Sequence, residues 1–201
     1  GETYSIGSNS DGQLGDDYYL NQTNPVRTSF PLSYGEHVKF VSAGIDFSVA
    51  ISRNNKLFVW GKNAYYNLGT GSQTKSLRPF NLLPDHEIVS ACAGKYHGVA
   101  VNSSGAVFSW GANTQDGILT CTHDSAQLCS EQLCTCQFID SYGDRYYYPP
   151  SIQGQLGLSG QYFFSNTPRQ VNIPLSEKVV SVSCGLMHTV ARTEAGKLFA
   201  W

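Results

Sequence analysis

Apolar residues return along this chain at fixed distances. Val38 and Val41 stand six and three positions before Gly44, Ile88 and Ala91 before Gly94, and Val179 and Val182 before Gly185. A Trp follows each Gly by sixteen positions, at Trp60, Trp110 and Trp201, and a ring follows it by three, at Phe47, His97 and His188. Between these markers the apolar runs are short and broken by Asn, Ser and Gly, which predicts strands rather than helices. The expected strands cover 38–43, 48–52 and 56–60, with a turn at Arg53-Asn54-Asn55. In the next copy they cover 88–93, 98–101 and 106–110, with a turn at 102–105. Small residues recur inside them at Ala50, Ala100 and Ala191, as close packing of sheet on sheet requires.

The polar text repeats as well. Asn9 precedes Gly15 by six positions, within a segment that contains Gly12-Gln13-Leu14-Gly15, and Asn63 precedes Gly69 by the same distance. Ten residues after the second Gly comes Pro25 or Pro79, whose missing donor suits the start of an edge strand. Gly1, Tyr4 and Ile6 copy the spacing of Gly105, Phe108 and Trp110, so the pattern is already running at the first residue. Self-similarity at such a period signals one supersecondary unit stacked on its copies, and the repeats divide as 7–60, 61–110 and 111–201. The regularly placed Trp is expected to pack between units.

The last repeat is interrupted. Asn113 opens it on schedule, but Gly157 of Gln155-Leu156-Gly157 arrives 44 residues later (157−113) instead of six, an excess of 38 (44−6). The pattern then resumes with Pro168, Val179, Gly185 and Trp201, so the insertion at about 115–151 is expected to leave the sheet as a surface loop.

The order Asn-x-x-Gly-Gln-Leu-Gly, Pro-x-x-Val, Val-x-x-Val-x-x-Gly-x-x-His and Gly-x-Leu-Phe-x-Trp resembles the regulator of chromosome condensation repeat family. It covers the chain apart from the insertion. The resemblance implies an all-β fold, a β-propeller with about three four-stranded blades here of an expected seven, the remaining blades coming from the rest of a longer protein. WD and kelch propellers have similar periods, but their Gly-His with Trp-Asp, or Gly-Gly, pairs do not recur at period here. The family is implied to contain nucleotide exchange factors for the small GTPase Ran and scaffold modules of ubiquitin ligases and kinases. It also contains a plant ultraviolet photoreceptor with Gly-Trp-Arg-His-Thr at the repeat. This chain has Gly94-Lys95-Tyr96-His97-Gly98 and Gly185-Leu186-Met187-His188-Thr189 there, which argues against light sensing.

Composition removes several other functions. A formal net charge of −2 offers no broad footprint for direct binding of nucleic acid or an anionic membrane. No run of about 18 apolar residues and no signal peptide is present, so cytosol or nucleus is the default compartment. No Ser-His-Asp set, carboxylate pair or phosphate-binding Gly loop stands out, and no enzyme or cofactor is expected. A ring position that accepts Phe47 as readily as His97 and His188 serves packing or a bond between blades, not proton transfer.

Three features retain individual chemistry. Cys121, Cys129, Cys134 and Cys136, with His123 nearby, could ligate zinc, but their gaps of seven, four and one residues fit it only in part; disulfides and free thiols remain open. Cys92 and Cys184, in strands beside the repeat Gly, read as core thiols. Arg145, Tyr146, Tyr147 and Tyr148 in the insertion, with Tyr18 and Tyr19 in the matching loop of the first repeat, combine the residue types of interface hot spots. These six are the candidate partner-binding residues, lining one rim. The sequence therefore points to a protein-binding scaffold, with exchange on a Ran-type small GTPase as the alternative.

Overall fold

The computed structural model describes residues 2–31, 36–114, 136–139, 145–148, 154–159, 162–173 and 178–201. Every regular element among them is a strand: β1 (Tyr4–Gly7), β2 (Gln22–Arg27), β3 (Val38–Ala43), β4 (Phe47–Ser52), β5 (Leu57–Gly61), β6 (Ser76–Leu82), β7 (Ile88–Ala93), β8 (His97–Asn102), β9 (Val107–Ala112), β10 (Cys136–Ile139), β11 (Arg145–Tyr148), β12 (Phe164–Gln170), β13 (Val179–Cys184), β14 (Thr189–Thr193) and β15 (Leu198–Ala200). They contain no helix long and apolar enough to cross a membrane.

The strands form antiparallel sheets in the orders β1-β2, β3-β4-β5-β6, β7-β8-β9-β12 and β13-β14-β15, with β10-β11 apart as a small hairpin. Two sheets are complete four-stranded blades. Neighbouring blades meet through their first two strands, β3 and β4 against β7, and β7 and β8 against β13. The architecture is an incomplete β-propeller. Each complete blade draws its outer strand from the following sequence repeat: β6 lies beyond Gly61, and β12 lies beyond the insertion.

Alternation along the second strand of each blade builds the core between sheets, not within one. Val49 and Ile51 of β4 pack with Ile88, Ala91 and Ala100 of the next blade, while Ala50 faces back to Phe58, Trp60 and Phe30. One step on, Val99 and Val101 pack with Val179 and Ala191. Ala100 and Ala191 thus meet the bulkier side chains of the preceding blade, whereas Ala50 packs with Phe58 and Trp60 of its own sheet. Ala50, Ala100 and Ala191 are each fully buried, so an added methyl there would overfill a closed seam.

The prolines sit differently from the expectation. Pro25, Pro79 and Pro168 lie inside the outer strands β2, β6 and β12, not at their starts, and each coincides with a break in register against the inner neighbour. A residue without a backbone donor is accommodated where the ladder already skips a bond.

The insertion keeps the blade whole, as expected. The Asn113 side chain accepts a hydrogen bond from Leu156 N at 3.2 Å across 43 positions of sequence, and donates from Nδ2 to Tyr162 O at 2.8 Å. Within the insertion, β10 pairs with β11 in the register Cys136↔Tyr148 to Ile139↔Arg145.

Candidate functional site

The repeated polar residues are spent on the seams. The motif Asn holds its loop from inside: Asn9, Asn63 and Asn113 accept the N–H of Leu14, Leu68 and Leu156 at 3.0, 2.9 and 3.2 Å. The residue before each Leu then presents its carbonyl to the next blade's Trp. Trp60 Nε1 donates to Gln13 O at 2.9 Å, Trp110 Nε1 to Asn67 O at 2.7 Å, and Trp201 Nε1 to Gln155 O at 3.1 Å. The Gly that closes the loop lies under the same indole. At Gly15, Gly69 and Gly157 φ is 70°, 64° and 62°, and a Cβ would fall 2.8, 2.9 and 2.7 Å from atoms of Trp60, Trp110 and Trp201. Both observations require Gly.

His97 belongs to this scheme. Its Nε2 lies 3.2 Å from Thr189 Oγ1 of the next blade, and that hydroxyl donates to Gln155 O at 3.2 Å. With the Thr189 proton committed, His97 must donate from Nε2, which leaves Nδ1 as a bare acceptor. That atom is buried and has no hydrogen-bond partner. Burial, and after it the nearby His188, lowers the imidazole pKa from 6.5 to about 4, so the ring is neutral. At the preceding seam the matching pair is Phe47 and Gly98, a ring and a residue that both lack the polar group. His97 therefore makes a bond between blades, one of the two roles expected for the ring position.

Several loop Tyr and Lys side chains gather at one end of the sheets. The β3-β4, β7-β8 and β13-β14 turns share that end with the β1-β2, β5-β6 and β9-β12 loops: Lys62 N bonds Asp46 O, and Ala112 N bonds Tyr96 O, both at 2.8 Å. Tyr18 and Tyr19 lie here in the β1-β2 loop, 63% and 47% exposed, followed by exposed Leu20. Lys75 Nζ sits 4.3 Å from the Tyr19 ring centre, and Arg78 pairs with Asp17 at 2.5 Å, so the loop is braced against the next blade. Further along, Tyr65 and Tyr96 pack with ring centres 4.3 Å apart. Lys62 lies over the first ring at 5.7 Å and Lys95 over the second at 4.6 Å. Asp46 bonds Lys62 and is the main cause of the raised pKa of that ammonium. Sequence reasoning missed Tyr65 and Tyr96. Their signal was available, since both are aromatic residues at loop positions that the repeat leaves variable.

The insertion departs from this same end, after Thr114 and before Gly154. Of the candidates within it, Arg145, Tyr146, Tyr147 and Tyr148 form β11, and Cys136 begins β10. Cys121, Cys129 and Cys134, with His123, lie outside the described residues. Among the described residues no three His, Cys, Asp or Glu side chains converge as a metal site would require.

The reading of Cys92 and Cys184 as core thiols is corrected. They form a disulfide between β7 and β13, with Cα atoms 5.5 Å apart, inside the span that such a link tolerates. Cys92 stands two positions before its repeat Gly and Cys184 one. Because they occupy different repeat positions, comparing copies in register does not reveal that they face one another.

Known proteins place this architecture. The chain is 29% identical to the ultraviolet-B receptor UVR8 of Arabidopsis thaliana, covering 100% of this chain and 49% of that protein. It is 26% identical to the secretion-regulating guanine nucleotide exchange factor of Bos taurus, covering 100% and 48%. It thus spans about half the length of these relatives. Among solved structures, human WBSCR16 superposes with a TM-score of 0.71 at 24% identity, over all of this chain and 43% of that one, a likeness of fold. The model of the regulator of chromosome condensation (RCC1) repeat matches residues 1–51, 54–101 and 151–192. With its Asn, Gly and Trp positions bonded alike at three successive seams, the chain belongs to the RCC1 repeat family.

Proposed function

We propose that this chain is a protein-binding scaffold whose contact surface is the end of the sheets that carries the β1-β2 loop and the insertion. One observation carries the reading. The motif residues with chemical potential are consumed between blades, while exposed Tyr18 and Tyr19 and half-buried Tyr65 and Tyr96 stand beside Lys62, Lys75 and Lys95 at that end. Tyr rings give large contact area at low ordering cost, and the Lys stems beside them add apolar surface under a charged head. We assign Arg145, Tyr146, Tyr147 and Tyr148 of the insertion to the same contact surface on their residue types alone. Cytosol or nucleus is the compartment that suits this role.

The test uses the full-length protein. Cross-linking pull-downs from the source cell identify partners of the wild type, and Tyr18→Ala with Tyr19→Ala should reduce their capture at least tenfold. The same pair should leave unfolding within about 0.5 kcal/mol, because both side chains are exposed. Unchanged capture in this variant and in Tyr146→Ala/Tyr147→Ala/Tyr148→Ala would remove the proposed surface. The Bos taurus relative, an exchange factor by name, favours a second reading, nucleotide exchange on a small GTPase. Accelerated release of labelled GDP from a Ran-type GTPase would establish it in place of the scaffold role.

A further inference from the structure

The seam between the second and third blades differs from the one before it by a covalent bond. Between the first two blades, Ser42 Oγ of β3 accepts a hydrogen bond from Ala93 N of β7 at 3.3 Å. The corresponding positions one blade on are Cys92 and Cys184, and they are disulfide-linked. A slot that serves a hydrogen bond at one step thus holds a dithiol pair at the next. The rest of this seam is non-covalent: Ser90 Oγ accepts from Val182 N at 3.1 Å, Lys95 N donates to Leu186 O at 3.0 Å, and His97 reaches Thr189. It is also the seam at which the insertion returns, since Gln155 bonds both Thr189 and Trp201.

The two cysteines pack at one apolar cluster but differ in residue exposure. Cys92 lies mid-strand, only 6% exposed, within the apolar cluster of Val99, Val101 and Val179. Cys184 ends β13 beside the Gly185 turn and is partly exposed. Thiol–disulfide exchange requires an attacking sulfur to approach along the S–S axis, so access decides which sulfur meets an external reagent.

We propose that Cys92 and Cys184 form a redox site that latches the second blade to the third, with a small-molecule disulfide of the glutathione type as its co-reactant. In the dithiol form the Cys184 thiolate attacks one sulfur of the external disulfide. It forms a mixed disulfide and releases one glutathione thiolate. The Cys92 thiolate then attacks Cys184 Sγ, closing the protein disulfide and releasing the second. The two protein thiols lose two electrons and two protons, and the external disulfide becomes two thiols. Excess glutathione thiol runs the sequence backwards and opens the latch.

The experiment equilibrates the full-length protein in glutathione buffers of increasing oxidised fraction, blocks free thiols, and maps linked peptides by mass spectrometry beside thermal unfolding. The Cys92–Cys184 peptide should appear with oxidation, and the wild-type Tm should rise by about 5–10 °C, since closing so long a loop restrains the unfolded chain. Cys92→Ser should accumulate glutathione on Cys184, Cys184→Ser should leave Cys92 unmodified, and neither should show the Tm response. Ser is compatible with these strands, because Ser42 and Ser183 occupy the position of Cys92 in the other blades. Absence of the linked peptide at every ratio, or its formation without a Tm change, overturns the latch. Equal adducts on Cys92 and Cys184 in the two variants overturn the assigned order of attack.

Discussion

Replacing His97 by Phe should abolish a defined part of the acid sensitivity of this fold. In the folded protein the ring is neutral, its pKa lowered to about 4 by burial and then by His188. An unfolded chain protonates the same ring near its ordinary value of 6.5. The folded state therefore binds the proton less well, and the contribution to stability is complete above the unfolded pKa. It drains away as pH falls from 6.5 towards about 4. The gap of roughly 2.5 units (6.5−4) corresponds to about 3 kcal/mol in full, of which about 2 kcal/mol is lost by pH ~5. The molecular reason is that protonated His97 would carry an N–H on Nδ1, which is buried without an acceptor. Phe is tolerated at the position, as Phe47 shows, and the Thr189 hydroxyl keeps its own acceptor at Gln155 O. At pH ~8 the variant should lose only about 1 kcal/mol, the worth of one neutral hydrogen bond. Urea unfolding followed by Trp fluorescence at several pH values measures both proteins. The wild type's advantage of about 1 kcal/mol at pH ~8 should therefore turn into a deficit of about 1 kcal/mol at pH ~5, a change of about 2 kcal/mol. Parallel curves for the two proteins would refute the assignment of His97 as a buried neutral donor.

Three further substitutions test the seams, with Gly196→Ala as a control in open space. Trp110→Phe removes the 2.7 Å bond to Asn67 O and leaves a gap in a fully buried site, and should cost about 2–4 kcal/mol in urea unfolding. Asn63→Ala strips the Leu68 N–H of its acceptor and frees Ser72 O and Thr74 O, for an expected loss of about 2–3 kcal/mol by the same assay. Gly69→Ala combines φ of 64° with a Cβ 2.9 Å from the Trp110 ring, whereas Gly196→Ala has φ of 84° and open space. The first should lower stability by about 2 kcal/mol more than the second, and equal losses would mean that the indole yields freely.

The blades were legible because repetition exposes what packing demands. Val41, Ala91 and Val182 recur, so strand, spacing and seam follow from comparing copies, and the Trp60 and Trp110 positions announce the interface they occupy. The insertion was legible for the converse reason, since an excess of 38 residues is visible wherever the period is known. Two things escaped. The Cys92 and Cys184 pairing joins different repeat positions, and only the offset between neighbouring strands brings them together. The Tyr65 and Tyr96 pair joins two loops of different blades, and such proximity depends on the rotation between sheets, which no single repeat encodes. The prolines were assigned to the right strands but to the wrong points along them, because a break in register is a property of two strands at once.

The link between Cys92 and Cys184 spans 92 positions and so encircles the entire insertion. A protease that cuts anywhere in 115–151 would then yield two polypeptides still joined through sulfur, with β9 and β12 still paired across the nick. The same geometry makes the insertion a place for new sequence: a foreign domain spliced into it would be carried without disturbing the pairing of β9 with β12.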